Sequence, residues 1–172
     1  MQNFVIGGIA AMLYAVTGGL LGLRLSSGSP QWAWPKAALL TVALAAVALH
    51  SLLLYQQIFI PGGMNLGFFN ALSLVGWLAA LLLVIAASVQ PVENIGIVVL
   101  PLSAATVLFA LLFPSDTIIT TANHGLEVHI VLSIMANALL TMSAVQAVLL
   151  AIQDRHLHQR RPGGFIQCAG RR

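Results

Sequence analysis

Five histidines supply most of the reactive chemistry in this 172-residue chain. His124 and His129 head the stretch NHGLEVHIVLSIMANALLTMSAVQAVLLAI, from Asn123 to Ile152, which reads as a membrane helix with two imidazoles at its entrance. Ser133, Asn137 and Thr141 follow His129 at steps of four residues, a spacing that stays near one helix face. A polar stripe headed by an imidazole therefore runs down an apolar helix. In a bilayer it is expected to face other helices or a cavity, because lipid offers it no partners. His50 lies in another apolar run, VALAAVALHSLLLY, with no other ionisable side chain close by in sequence. His124 and His129 are five apart and point away from each other on a regular helix, which argues against a paired zinc site of the HExxH type. Imidazoles from separate helices instead suit haem iron, which takes axial ligands from opposite sides. His156 and His158, in a basic C-terminal segment, read as solvated tail residues.

Other chemistries find little material. The carboxylates are Glu93, Asp116, Glu127 and Asp154, scattered over different connections, so paired-carboxylate hydrolysis is not expected. A nucleophile elbow, a phosphate-cradling glycine loop and a CxxC redox pair are all missing. The single cysteine, Cys168, permits no internal disulfide. Catalysis is not expected.

The elements that must position these residues are read from composition and run length. Hydrophobic residues make up 59% of the chain and charged residues 6%, against about 25% charged in a soluble domain. Mean hydropathy is +0.97. The continuous Leu- and Ala-rich runs differ from the alternating strands of a membrane barrel. The fold class is therefore all-α, a polytopic transmembrane bundle with spans near Phe4–Leu23, Ala37–Gln57, Leu66–Ser88, Ile95–Phe113 and Val128–Gln153. Residues 1–154 form the transmembrane domain and residues 155–172 a basic tail. Gly18 and Gly22 form a GxxxG pair through which another helix can approach closely. Pro35 suits a helix start, Trp32 and Trp34 an interfacial belt, and Trp77 a packing position between helices. Pro61, Gly62 and Gly63 break the chain between spans two and three.

Arg24 and Lys36 share the connection after span one, and Arg155, Arg160, Arg161, Arg171 and Arg172 follow span five. By the positive-inside rule the N-terminus is expected outside and the C-terminus in the cytoplasm. This anchoring also accounts for the net charge of +3 without nucleic acid. The N-terminus MQNF lacks the basic region of a cleavable signal peptide.

Three stretches carry a resemblance to a known family. These are the histidine late in span two, in VALAAVALHSLLLY; the turn followed by Asn and Trp, in GGMNLGFFNALSLVGW; and HGLEVHIVLSIMANALL, where a histidine entering a helix follows another five residues earlier. In that order, from about residue 40 to residue 161, the chain resembles the cytochrome c assembly membrane family of the CcsA and HemX type, nearest its YpjD-like branch. The third stretch is similar to the family pattern S-H-W-L-x-x-H-V, with Gly125 where the pattern has tryptophan. The tryptophan-rich WGxxWxWD motif of the assembly proteins is absent, and family members continue with further spans that carry partner histidines. The chain therefore reads as a short or truncated member.

The resemblance implies a bacterial inner-membrane protein that binds or relays haem at the outer face. It implies His129 as an external haem-iron ligand and His50 as a membrane-embedded ligand or relay. His124 matches a position without a ligand role. Asn70 and Asn137 are expected to support the ligands or pack helices. A second copy or another assembly subunit would supply the missing ligands. Two other classes stay open: a transport or cation-efflux component with His50, Asn70, Glu127 and Asn137 along a polar path, and a ligand-free membrane scaffold.

Overall fold

The computed structural model describes residues 1–26, 34–61, 63–89, 93–114, 117–119 and 124–159. At Leu25, Ser26, Glu93, Ile119, His124, Glu127, Val131, Leu149 and residues 152–159 it describes the backbone alone. Trp32, Gly62, Asp116 and residues 160–172, with Cys168 and the last four arginines, lie outside the described residues.

Long apolar runs become helices because in lipid only an internally hydrogen-bonded backbone is tolerated, and Pro101 near the start of its run does not break it. Among the described residues these are α1 (Gln2–Ser26), α2 (Lys36–Ile58), α3 (Phe68–Val89), α4 (Glu93–Leu112) and α5 (His124–Gln159). Each contains a segment long and apolar enough to cross a membrane. The all-α, five-span expectation is met, with boundaries within a few residues except at the last helix. There the helix begins four residues before Val128 and continues to Gln159, so no break in the helix separates residue 154 from residue 155. Pro35 caps α2 at φ −60°, and its carbonyl accepts from Ala38 N at 2.9 Å. Having no N–H of its own, proline leaves no donor unpaired at this position.

Helices α1 to α4 close into a ring. α1 packs on α4 and α2, and α3 packs on α2 and α4. α5 lies outside it, against α3 and more lightly against α4. The contrast is large: 56% of the α4 span is buried, but only 6% of the α5 span. Since lipid is as apolar as leucine, close packing and interhelical hydrogen bonds must hold the ring together. Two glycines show how close the approach is. A Cβ on Gly18 would come within 2.7 Å of the Pro101 ring on α4, and Gly22, one turn on, would meet only Ile97 at 3.8 Å. A Cβ on Gly76 of α3 would collide with the Thr106 hydroxyl of α4. The expected close approach at the GxxxG pair is thus made by α1 on α4, with Gly18 the tighter position.

The break between α2 and α3 is more ordered than turn chemistry implied. β1 (Phe59–Ile60) pairs antiparallel with β2 (Gly63–Asn65), and β2 pairs with β3 (Ile118–Ile119) from the connection before α5. Gly63 has φ 155°, a backbone that side chains disfavour. This small sheet ties the α4–α5 connection to the α2–α3 hairpin, and so fixes the end of the bundle where α5 enters.

Candidate functional site: two histidines

His50 sits at the centre of the four-helix ring, fully buried. Its neighbours on α2, Val47, Leu53 and Leu54, are buried with it. An imidazole in such surroundings needs partners, because a buried polar group without them loses its hydration uncompensated. Both ring nitrogens have one. Nε2 lies 2.9 Å from Ser73 Oγ on α3, and Nδ1 lies 3.4 Å from the Tyr14 hydroxyl on α1. Each hydroxyl can donate or accept, so either imidazole tautomer satisfies both contacts. The Tyr14 ring also meets the imidazole edge-on, at 5.8 Å and 77°.

The polar contacts continue down α3. The Trp77 indole N–H donates to Val47 O on α2 at 3.1 Å, and Ser103 of α4 donates to Gly76 O at 2.8 Å. One residue from each of α1, α2 and α3 therefore meets at His50, and α4 joins through Ser103. Helical spacing places Asn70, Ser73 and Trp77 along one face of α3. Asn70 donates through Nδ2 to Asn65 O at 3.2 Å, which holds β2 to the helix entrance.

His129 differs in every respect. It lies in the second turn of α5 with its side chain exposed, and Leu126 and Leu132, three residues to either side, are 44% and 59% exposed. The sequence leads one to expect the polar stripe below it to face other helices or a cavity. Instead Ser133 and Asn137 are exposed, and only Thr141 turns partly inward, beside a cavity of about 150 Å³ shared with α3 and α4. The reason is helical drift. Each step of four advances about 40° round a helix with 3.6 residues per turn, so three steps carry the stripe about 120° from His129 to Thr141. The packing side of α5 is set by its apolar residues: Ala138 is fully buried, and Met142 and Val145 pack against the core.

The structure therefore does not bring the two candidate ligands together. His50 belongs to the interior of the ring and His129 to the outer face of the peripheral helix. The same separation divides the imagined polar path: His50 and Asn70 are buried in the ring, while Asn137 lies on the uncovered side of α5. Among the described residues no three His, Cys, Asp or Glu side chains gather into a metal-binding group. Tyr14 was the participant that sequence reasoning missed. A lone tyrosine amid Gly, Ala and Leu in the first span was the available signal, since a buried phenol also seeks a partner.

The two histidines differ in what an iron could reach. His129 offers an uncovered imidazole flanked by exposed leucines against which a porphyrin face can lie. Ligation by His50 would require one of its two hydrogen bonds to break, and the helices packed around the ring leave it fully enclosed. No protein-family model, curated protein or solved structure matches the chain.

Proposed function

We propose that this chain is a haem-handling membrane protein of the cytochrome c assembly type, residing in a bacterial inner membrane, with His129 as the axial ligand it offers. The observation that carries the reading is the exposed imidazole at the start of α5, on a face the bundle does not cover. The resemblance around HGLEVHIVLS independently points to the same residue. Bound there, haem would supply an iron centre held for transfer or electron exchange. The chain's own part is to hold the imidazole at a fixed place on a rigid helix, with Leu126 and Leu132 beside it. A second copy or another assembly subunit would complete the ligands of the iron. His50 in this reading is a positioning residue of the ring that supports α5, not a ligand.

The protein purified in mild detergent with haem supplied tests this directly. A sharp Soret band is expected from the unaltered chain, retained by His50→Leu and lost in His129→Ala. A band that survives His129→Ala would overturn the assignment. A folded protein that gives no band, alone or with an added assembly partner, would leave the ligand-free scaffold, a reading favoured by the hydrogen bonds already made by both His50 nitrogens.

A further inference from the structure

The outward side of α5 carries a polar group at the depth where lipid tolerates it least. Asn137 stands at the middle of the Val128–Val148 span, near the bilayer centre. Its side chain is exposed, about 100° round the helix from the fully buried Ala138. Among the described residues its carboxamide has no hydrogen-bond partner; the Thr141 hydroxyl, at 2.8 Å, engages only its backbone carbonyl. Acyl chains offer a carboxamide neither donor nor acceptor, and polar groups at this depth face protein or a water-filled cavity. The ring does not supply that protein, because it holds α5 by another side, through Ala138, Met142 and Val145. The face around Asn137 has the pattern of a helix contact. Ser133, Asn137, Leu140, Ala144, Ala147 and Ala151 recur at alternating steps of four and three, and all are exposed. At 100° per residue they stay within about 40° of Ser133 over roughly 27 Å of helix, close to the thickness of a hydrocarbon core. Such a seven-residue repeat suits helices packed side by side at a shallow angle. Most of its positions are small, so a partner backbone can come near enough for asparagine to bond across.

We propose that this face is a homodimer contact, in which α5 of a second copy lies alongside in the same membrane orientation and the two Asn137 carboxamides bond across a two-fold axis. Asn137 itself selects the second copy. A copy inserted the same way round holds its own Asn137 at the same depth. A carboxamide carries both a donor and an acceptor, so two identical ones complete each other in a symmetric contact. A single asparagine in an apolar heptad seam also fixes the register of the pair. Lipid on this face would leave both carboxamides unmatched. The inference does not depend on haem at His129.

The test uses the full chain reconstituted in phosphatidylcholine bilayers, with association read by energy transfer between donor- and acceptor-labelled copies. A dimer is expected, separating as lipid is added. Asn137→Leu should weaken association roughly tenfold, as the loss of interhelical hydrogen bonds in a membrane implies. The thermal midpoint of the ring should stay unchanged in that variant, because α5 lies outside the ring. Ala147→Ile, a wedge on the same face, is the second variant and should also weaken the dimer. Position is checked by oxidative cross-linking with Cys168→Ser as background, since Cys168 is the single native thiol. Leu140→Cys should form a disulfide-linked dimer, and Leu139→Cys, about 100° round the helix, should not. A monomer in bilayers would overturn the proposal and leave the face to lipid or to a different chain. Asn137→Leu and Ala147→Ile that both associate like the unaltered chain, or equal cross-linking at Leu140→Cys and Leu139→Cys, would each overturn it as well.

Discussion

His50 and His129 are the same side chain in opposite situations. One is enclosed by four helices with both nitrogens engaged; the other stands on a helix face that the rest of the bundle leaves open. Both lie in runs rich in Val and Leu, His50 with no ionisable neighbour and His129 two residues after Glu127 and five after His124. What separates them is the partner elements. Tyr14 and Ser73 are 36 and 23 residues away from His50 along the chain, so their approach depends on the ring closing. Among the described residues α5 packs chiefly on α3 and more lightly on α4, and its imidazole stands exposed. Polar residues in a membrane helix therefore divide into those that hold the fold and those held out by it.

The comparison can be broken hardest at the close seam between α3 and α4. Gly76→Val should destabilise the bundle by about 2–3 kcal/mol through overpacking, seen as a lower thermal midpoint in detergent. Ala144→Val on the exposed side of α5 should change it by less than about 0.5 kcal/mol. The His50 network comes next. His50→Leu should cost about 2 kcal/mol, because it strands the Tyr14 and Ser73 hydroxyls without the imidazole. Replacing all three as Tyr14→Phe, Ser73→Ala and His50→Leu should recover much of that loss, since an apolar core leaves no unpaired group. If His50→Leu alone is harmless, the ring interior does not depend on these bonds. His129→Leu should be neutral for stability. A smaller loss than at His50 is expected at Trp77→Phe, which removes one interhelical hydrogen bond to Val47 O and should cost about 0.6 kcal/mol, in the range measured for such bonds within membranes.

Much of the architecture was legible because hydrophobic run length is a direct physical demand of the bilayer. It located five spans, and the turn residues Pro61 and Gly63 marked the corner that became the hairpin. The pairing of β2 with β3 was not legible: Ile118 and Ile119 are two residues in a polar connection, too short for a strand pattern. The site was legible by type and not by arrangement. Imidazoles stood out in an apolar chain, and steps of four correctly placed Ser133 and Asn137 near His129. Which way that face turned was decided by where α5 found apolar contacts, at Ala138, Met142 and Val145. Periodicity locates a face but does not name its neighbour.

One imidazole is sealed in the ring and the other stands exposed, and carbethoxylation of the folded protein in nanodiscs, read peptide by peptide by mass spectrometry, measures that difference directly. The prediction is rapid modification of His129 with His50 at least tenfold slower, and the two converging once the protein is unfolded. Equal rates in the folded protein, or His50 reacting first, would contradict it.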